Sequence, residues 1–429
     1  MWFRLAAMAA LLLASCLPVR AQTPPLAPPT LTLDDAFARV ARAHPDLRLF
    51  GARHNILLAE QEAATLRPPL RAGIEVEDAL GSGALRGFDQ ASTTLTLAGV
   101  FERGGKLDAR RTLAQGRIDA LAVQREAQRL DLLADTARRY LAVLAARAEA
   151  AIARRDIEQR GRAVAAARQR LQAGASPESV LLAAQAAHVR ADMMLERALQ
   201  QQDAARRHLA ALWGEREPRF EMVDGDLLAL PEIAAMEELA AMLQHTPELM
   251  QVADERRIRE ARLQLARSEA RPDLEWQLGA RRFQDGGDVA LLGSVSMPLG
   301  AAHRARPGIL AAEADLAALG IERESLDVAL YGTLAEAHGR YRVARLEVER
   351  TRDGILPRLV RAERSAERAY RAGAASYLEW AQLQSETIAA QRQQLDAALD
   401  ARRALLELQR LTGASLLAGP ASAAKETLP

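Results

Sequence analysis

Between Arg103 and Ala173 the chain has no proline, and Leu130, Leu133, Ala137, Leu141, Leu144 and Ala148 recur at alternating spacings of three and four. That spacing is the seam of a coiled coil. A helix of about 70 residues runs on the order of 100 Å, so the chain is predicted to be elongated. A second run from Gly308 to Ala372 has one internal proline, Pro357, where a kink is expected because proline lacks the N–H that an interior helical position donates.

The second run belongs to a wider repetition. "HPDL" at His44 returns as "TPEL" at Thr246, "RPPL" at Arg67 as "RPDL" at Arg271, and "YLAVLAA" at Tyr140 as "YRVARLE" at Tyr341. "QAGAS" at Gln172 returns as "RAGAA" at Arg371, and "LAALWG" at Leu209 as "LQRLTG" at Leu408. The offsets are 202, 204, 201, 199 and 199. Five pairs in one register point to a tandem duplication, with copies over 33–217 and 232–413 and a seam near Pro218 to Pro231. Each copy reads as short helix, helix, two strands, very long helix, reverse turn and helix.

The strand segments have the other period. "ASTTLTLAGVF" sets Thr93, Leu95, Leu97 and Phe101 against Ser92, Thr94 and Thr96. "DLEWQLGARRF" sets Leu274, Trp276, Leu278 and Ala280 against Glu275, Gln277 and Arg281, and "DVALLGSVSMPL" follows a turn at Asp285-Gly286-Gly287. With "AGIEVEDA" near Ile74 this gives four strands of about ten residues, the length that crosses a thin outer membrane when tilted. Hairpins packed on the helices of a soluble protein would show the same alternation. Four strands cannot close a barrel, and an open one leaves unpaired backbone in lipid, so a membrane role requires association. Three chains would supply twelve strands.

The first 21 residues carry one early charge, Arg4, and then an apolar run from Leu5 to Leu17. They read as an export signal, too short for a membrane span. Two processing routes stay open: cleavage before Gln22, or a lipoprotein signal ending before Cys16, which sits in "LASC". Cys16 is the only cysteine, so the mature protein has no internal disulfide by either route. Residues 22–32 are a proline-rich linker, and residues 414–429 read as a flexible tail. A net charge of +1, with basic and acidic residues interleaved as in "ERRIREARLQLARSEAR", argues against a nucleic-acid partner. Aromatics make up only 4%, which favours helices packed through small side chains.

"LTLDDAFARVARAHPDL", the repeated "RP.L" before each first strand, "FERGGK" after the second strand and both Ala-Gly-Ala turns resemble the TolC-like family of bacterial outer-membrane efflux proteins, over nearly the whole chain from Leu31 to Gly413. The resemblance implies an α+β membrane protein. Long helical hairpins would form a periplasmic α-barrel, and four strands per chain would join a twelve-stranded β-barrel in a homotrimer, facing outer-membrane lipid. It also implies a passive exit duct of a tripartite system, reached through a periplasmic adaptor from an inner-membrane pump of the resistance-nodulation-division type. "FERGGKLDARR" resembles the junction of the cobalt-zinc-cadmium resistance branch, which favours heavy-metal export over drug export, although any strand-to-helix junction can use two glycines. The competing reading from another class is a secreted coiled-coil scaffold without a channel.

Two turns draw attention as sites. Gly174 stands where a helix should end in a left-handed residue, with Ser176 to cap the next helix and Pro177 in its first turn. Gly373 is the corresponding stop, with Ser376 as cap and Glu379 completing a capping box. Those roles suffice for plain helical corners. The resemblance adds that both corners form the periplasmic tip, where Arg170, Leu171 and Gly174 match an adaptor-docking pattern and Arg371 and Gly373 only partly do. It also implies that Glu379, six residues after Gly373, points into the bore as a gate carboxylate, with Gln382 where a second carboxylate is common. No catalytic constellation is present. "GGK" lacks the rest of a phosphate loop, the seven histidines are scattered, and Asp34-Asp35 suit a helix start. Neither a metal site nor a cofactor is expected.

Overall fold

The computed structural model describes residues 30–220 and 223–413. The export segment with Cys16, the linker up to residue 29 and the 414–429 tail lie outside the described residues.

The chain opens with α1 (Leu33–Ala43) and α2 (Pro45–Thr65). Thr32 caps α1: its hydroxyl accepts from the Asp35 N–H at 3.1 Å, and the Asp35 carboxylate accepts from the Thr32 N–H at 3.4 Å. Strands β1 (Arg71–Glu77) and β2 (Ser92–Phe101) follow, then α3 (Lys106–Gln172) and α4 (Glu178–Ala210). The second set is α5 (Met236–Met242), α6 (Pro247–Glu269), β3 (Leu274–Phe283), β4 (Val289–Ser296), α7 (Ala301–Arg350), α8 (Leu356–Ala372) and α9 (Tyr377–Thr412). The two sets repeat one element order, except that the long helix of the second is divided into α7 and α8. At 67 residues, α3 is about 100 Å long. Helices α2, α4, α6 and α9 all pack along it.

The second long run starts earlier than expected, and its interruption at Pro357 takes a particular form. Its helix begins at Ala301, and Pro307 lies inside it. The break comes before Pro357: Thr351–Ile355 form a π-helical turn in which the Leu356 N–H bonds the Thr351 carbonyl. The wider turn absorbs the fault, because Pro357 has no N–H to donate one turn back and its ring would crowd a regular one. Pro357 itself sits in the first turn of α8, where a missing donor costs nothing.

All four strands lie in one antiparallel sheet of order β1-β2-β3-β4, so the two hairpins join through β2 and β3. Only β2 and β3 have ten residues; β1 has seven and β4 eight. Register aligns Ile74, Leu95, Ala280 and Leu291 in one cross-strand row and Ala72, Leu97, Leu278 and Gly293 in the next. On that face Ile74, Leu95, Leu278, Leu291 and Val295 are all more than half exposed. The opposite face is polar around Arg281, which pairs with Glu77 at 2.5 Å and donates to the Thr94 hydroxyl at 2.9 Å. Gly99 is required opposite Trp276, since a Cβ there would come within 2.7 Å of the indole. Gly104 and Gly105 take left-handed angles and swing the chain from β2 into α3, while Lys106 ties that junction to Asp273 at 2.7 Å.

The main core sits midway down the helices. It gathers Tyr140, Val143 and Leu144 of α3 with Leu31, Leu209, Phe220, Val223, Val348 and Leu395. Among the described residues no helix is long and apolar enough to cross a membrane.

Candidate functional site

The end of the molecule opposite the sheet holds both Ala-Gly-Ala turns, and they close alike. The Ala175 N–H bonds the Arg170 carbonyl at 2.9 Å and the Gly174 N–H the Leu171 carbonyl at 2.9 Å. In the second turn the Ala374 N–H bonds the Ala369 carbonyl at 2.8 Å and the Gly373 N–H the Tyr370 carbonyl at 3.1 Å. Every partner is shifted by 199 positions, and Gly174 and Gly373 have φ of 68° and 83°, a region costly for any residue with a Cβ. Both glycines are helix stops, as their spacing predicts.

The restarts differ. Ser176 does not cap α4; Pro177 occupies the cap position in an extended conformation with no side-chain bond, and the helix starts at Glu178. Proline's fixed φ suits that position and moves the start one residue on. Ser376 does cap α9, accepting from the Glu379 N–H at 3.2 Å. The capping box is only half formed, because the Glu379 carboxylate is exposed and returns no bond. Water solvates an exposed carboxylate as well as a backbone N–H would, so the reciprocal bond gains little.

Arg170 reaches across from the first turn to the second. Its guanidinium donates to the Tyr370 carbonyl and to the Ala175 carbonyl at 3.0 Å, and lies 4.9 Å from the centre of the Tyr370 ring. Leu171 is half-buried beside it. Arg371 pairs with Glu367 at 2.7 Å on the outer side of α8. Behind the turns, Ala163, Ala166, Ala366, Tyr370 and Trp380 form a small core. The Tyr370 hydroxyl and the Trp380 Nε1 are buried there without a partner among the described residues.

A buried polar layer follows. Arg160 bonds Asp156 at 3.1 Å, Gln384 at 3.3 Å and Ser385 at 2.9 Å, and Gln159 donates to Glu363 at 3.4 Å. Burial pushes the Glu363 carboxyl above its ordinary range, opposed by the Thr387 hydroxyl and by Arg162. Sequence reasoning missed this layer and the Arg170–Tyr370 contact, because apart from the Arg160–Asp156 pair their members lie 200 or more positions apart and these long-range pairs have no local signature.

On α9, Glu379, Gln382, Glu386, Gln393, Asp396 and Asp400 share one exposed stripe. Gln382 donates to Glu386 at 3.0 Å. Glu379, Glu386 and Asp396 have no basic partner among the described residues, in which no group of side chains is placed to hold a metal ion. The stripe gives this side of α9 a negative potential that favours cations.

Residues 59–215 match the family model described as outer membrane efflux protein. The chain is 27% identical over 280 residues to the cobalt-zinc-cadmium resistance protein CzcC of Cupriavidus metallidurans, covering 65% of this chain and 67% of that one. Among solved structures it resembles a membrane protein from Pseudomonas aeruginosa, with a TM-score of 0.73, 21% identity, and 89% and 93% of the two chains covered. It also resembles CusC, with a TM-score of 0.72, 17% identity, and 89% and 91% covered. With a helical stem, a four-stranded sheet apolar on one face and paired tips, the chain shares the fold of these solved structures, and its first copy is similar to the outer membrane efflux protein family.

Proposed function

We propose that the protein is the outer-membrane exit duct of a tripartite efflux system and passes heavy-metal cations from a periplasmic adaptor and an inner-membrane pump to the exterior. The observation that carries this reading is the sheet, apolar and exposed on one face, polar on the other, and open at β1 and β4. A secreted scaffold has no use for such a face. In lipid the open edges demand partners, and three copies joined edge to edge would close a twelve-stranded barrel. The two copies, 33–217 and 232–413, would then give the trimer quasi-sixfold symmetry. The similarity to CzcC supports metal cations as cargo, and the carboxylate stripe of α9 suits them.

In this reading Leu171 and Gly174 present the first tip to the adaptor, Arg170 holds that tip against the second, and Arg371 and Gly373 shape the second. Glu379, with its carboxylate free, is the gate residue, with Gln382 and Glu386 above it. The basic test is whether the protein fractionates with the outer membrane as a trimer by light scattering and raises zinc, cobalt or cadmium resistance in a host lacking its own duct. A folded monomer, or a trimer that changes no resistance, would count against the duct or its cargo respectively. Leu171→Ser should leave trimer and helicity intact while abolishing resistance. Glu379→Ala should change cation selectivity in planar bilayers with little loss of thermal stability, since its carboxylate caps nothing.

A further inference from the structure

The two rims of the sheet carry opposite charge. At the far rim the loops 78–91 and 284–288 hold four aspartates, Asp78, Asp89, Asp285 and Asp288, against one arginine, Arg86. At the rim next to the helices, residues 66–71, 101–106, 270–274 and 297–306 hold seven basic residues and two acidic ones. Both acids are already engaged, Glu102 by Arg110 at 2.5 Å and Asp273 by Lys106 at 2.7 Å. Arg67, Arg71, Arg103, Arg271, Arg304 and Arg306 are left exposed, with no carboxylate partner among the described residues.

The apolar face of the sheet runs into this basic rim through a shallow depression. The rings of Phe101 and Trp276 lie 5.9 Å apart. Beside them the partner of Leu278 on β4 is Gly293, which has no side chain to fill the face. The result is an open hollow of about 470 Å³ bounded by Phe101, Trp276, Leu278 and Val295. Met297 and Leu299 continue the alternation beyond Val295, and both stay exposed. Two guanidiniums stand at the edge of this greasy surface. The Arg103 Nη1 lies 3.9 Å from the Met297 sulfur, and Arg304 donates to the Leu299 carbonyl at 3.0 Å. Arg103 is two residues past Phe101, a span of at most about 7 Å, and Met297 and Leu299 are equally close in the chain. Apolar hollow and paired cations therefore share one short stretch of rim.

We infer that this rim is a binding site for an anionic phospholipid of the periplasmic leaflet, with one acyl chain in the hollow over Gly293 and the headgroup phosphate held by Arg103 with Arg304 beside it. This rests on the outer-membrane reading, which sets the apolar face in lipid and the helices in the periplasm. A guanidinium fork matches phosphate oxygens, and basic residues at a membrane surface favour lipids with net negative charge over zwitterionic ones. An indole such as Trp276 suits the same depth, where hydrocarbon meets headgroups. In a ring closed edge to edge, Arg67 of the next copy, just ahead of its β1, would come beside the 297–306 junction and add a further cation there. The acidic far rim offers no such grip, so the preference is confined to one leaflet.

Trp276 serves as the reporter. The full-length protein is reconstituted into phosphatidylcholine vesicles that contain a minor share of phosphatidylglycerol or of phosphatidylethanolamine, each brominated on its acyl chains. Quenching at Trp276, taken as the difference from Trp276→Phe, should need about five-fold less of the anionic lipid. Arg103→Gln combined with Arg304→Gln should make the two lipids equal, while Arg86→Gln at the far rim should leave the preference intact. Circular dichroism checks that each variant keeps its fold, and all three arginines are exposed. Equal quenching by both lipids in the wild type, or a preference that survives the double variant, overturns the site and leaves the sheet in lipid. A preference lost equally on Arg86→Gln means bulk charge and overturns it too. A Trp276 that neither lipid quenches overturns the outer-membrane reading as well.

Discussion

The middle of the helical stem and its tip both centre on tyrosines, and the two regions treat them in opposite ways. In the middle, the Tyr140 hydroxyl is shared between the Leu31 and Asp224 carbonyls, at 2.9 and 2.6 Å, and the Tyr341 hydroxyl donates to the Pro231 carbonyl. The two residues lie 201 positions apart, and both fasten segments that enter the stem or join its two sets of elements. Burial pushes the Tyr140 hydroxyl up to about 12, so it stays protonated and keeps donating at any ordinary pH. At the tip, Tyr370 and Trp380 bring an unbonded hydroxyl and an unbonded indole N–H into a five-residue core. A buried orphan costs about 1–3 kcal/mol. The middle is therefore fastened, whereas the packed tip is opposed by its own polar atoms.

The contrast can be broken most forcefully at Trp380, which is fully buried. Trp380→Ala should cost about 3–5 kcal/mol, and the loss should be local. Hydrogen exchange should rise in α8 and the lower turns of α9 while the Tyr140 region keeps its protection; equal loosening of both would dissolve the distinction. A sharper comparison pairs Tyr140→Phe with Tyr370→Phe. The first strands two carbonyls and should cost about 1–3 kcal/mol in thermal unfolding, while the second removes an orphan, keeps the ring under Arg170, and should be neutral or stabilising by at most about 1 kcal/mol. Equal losses at both positions would mean that the Tyr370 hydroxyl has a partner after all.

The smallest effect concerns pH. Burial raises the Glu363 carboxyl, so the folded tip holds a proton that the unfolded chain has already released. Its stabilising contribution is complete below the ordinary carboxylate range and is lost as pH rises through the raised value. Glu363→Gln should flatten the pH dependence of tip protection and protect the tip more than wild type at neutral pH. An unchanged slope would place the titration elsewhere.

Much of this architecture was legible because it is local. Period-two alternation located all four strands, and the left-handed stops at Gly174 and Gly373 followed from residues within one turn of each. What escaped involves competition or distance. Ser176 lost the cap position to Pro177, a contest that propensities alone do not rank, and the π-turn before Pro357 is one of several ways a helix can accommodate a proline. The pairing of β2 with β3 joins residues some 180 positions apart, and alternation specifies a face without specifying a neighbour. At the candidate site, the turns could be read but the clasp between them could not: Arg170 and Tyr370 are brought together only by the packing of α3 against α8 and α9.

The open edges at β1 and β4 also bear on inheritance. If each copy contributes one half of two of the three joints in the proposed ring, a chain with a damaged edge still occupies a place and spoils the closure for two sound neighbours. In a cell making both kinds, intact rings would fall as the cube of the sound chains' share. Edge lesions such as a proline in β1 should therefore be dominant, whereas lesions that stop the chain from folding at all should be recessive.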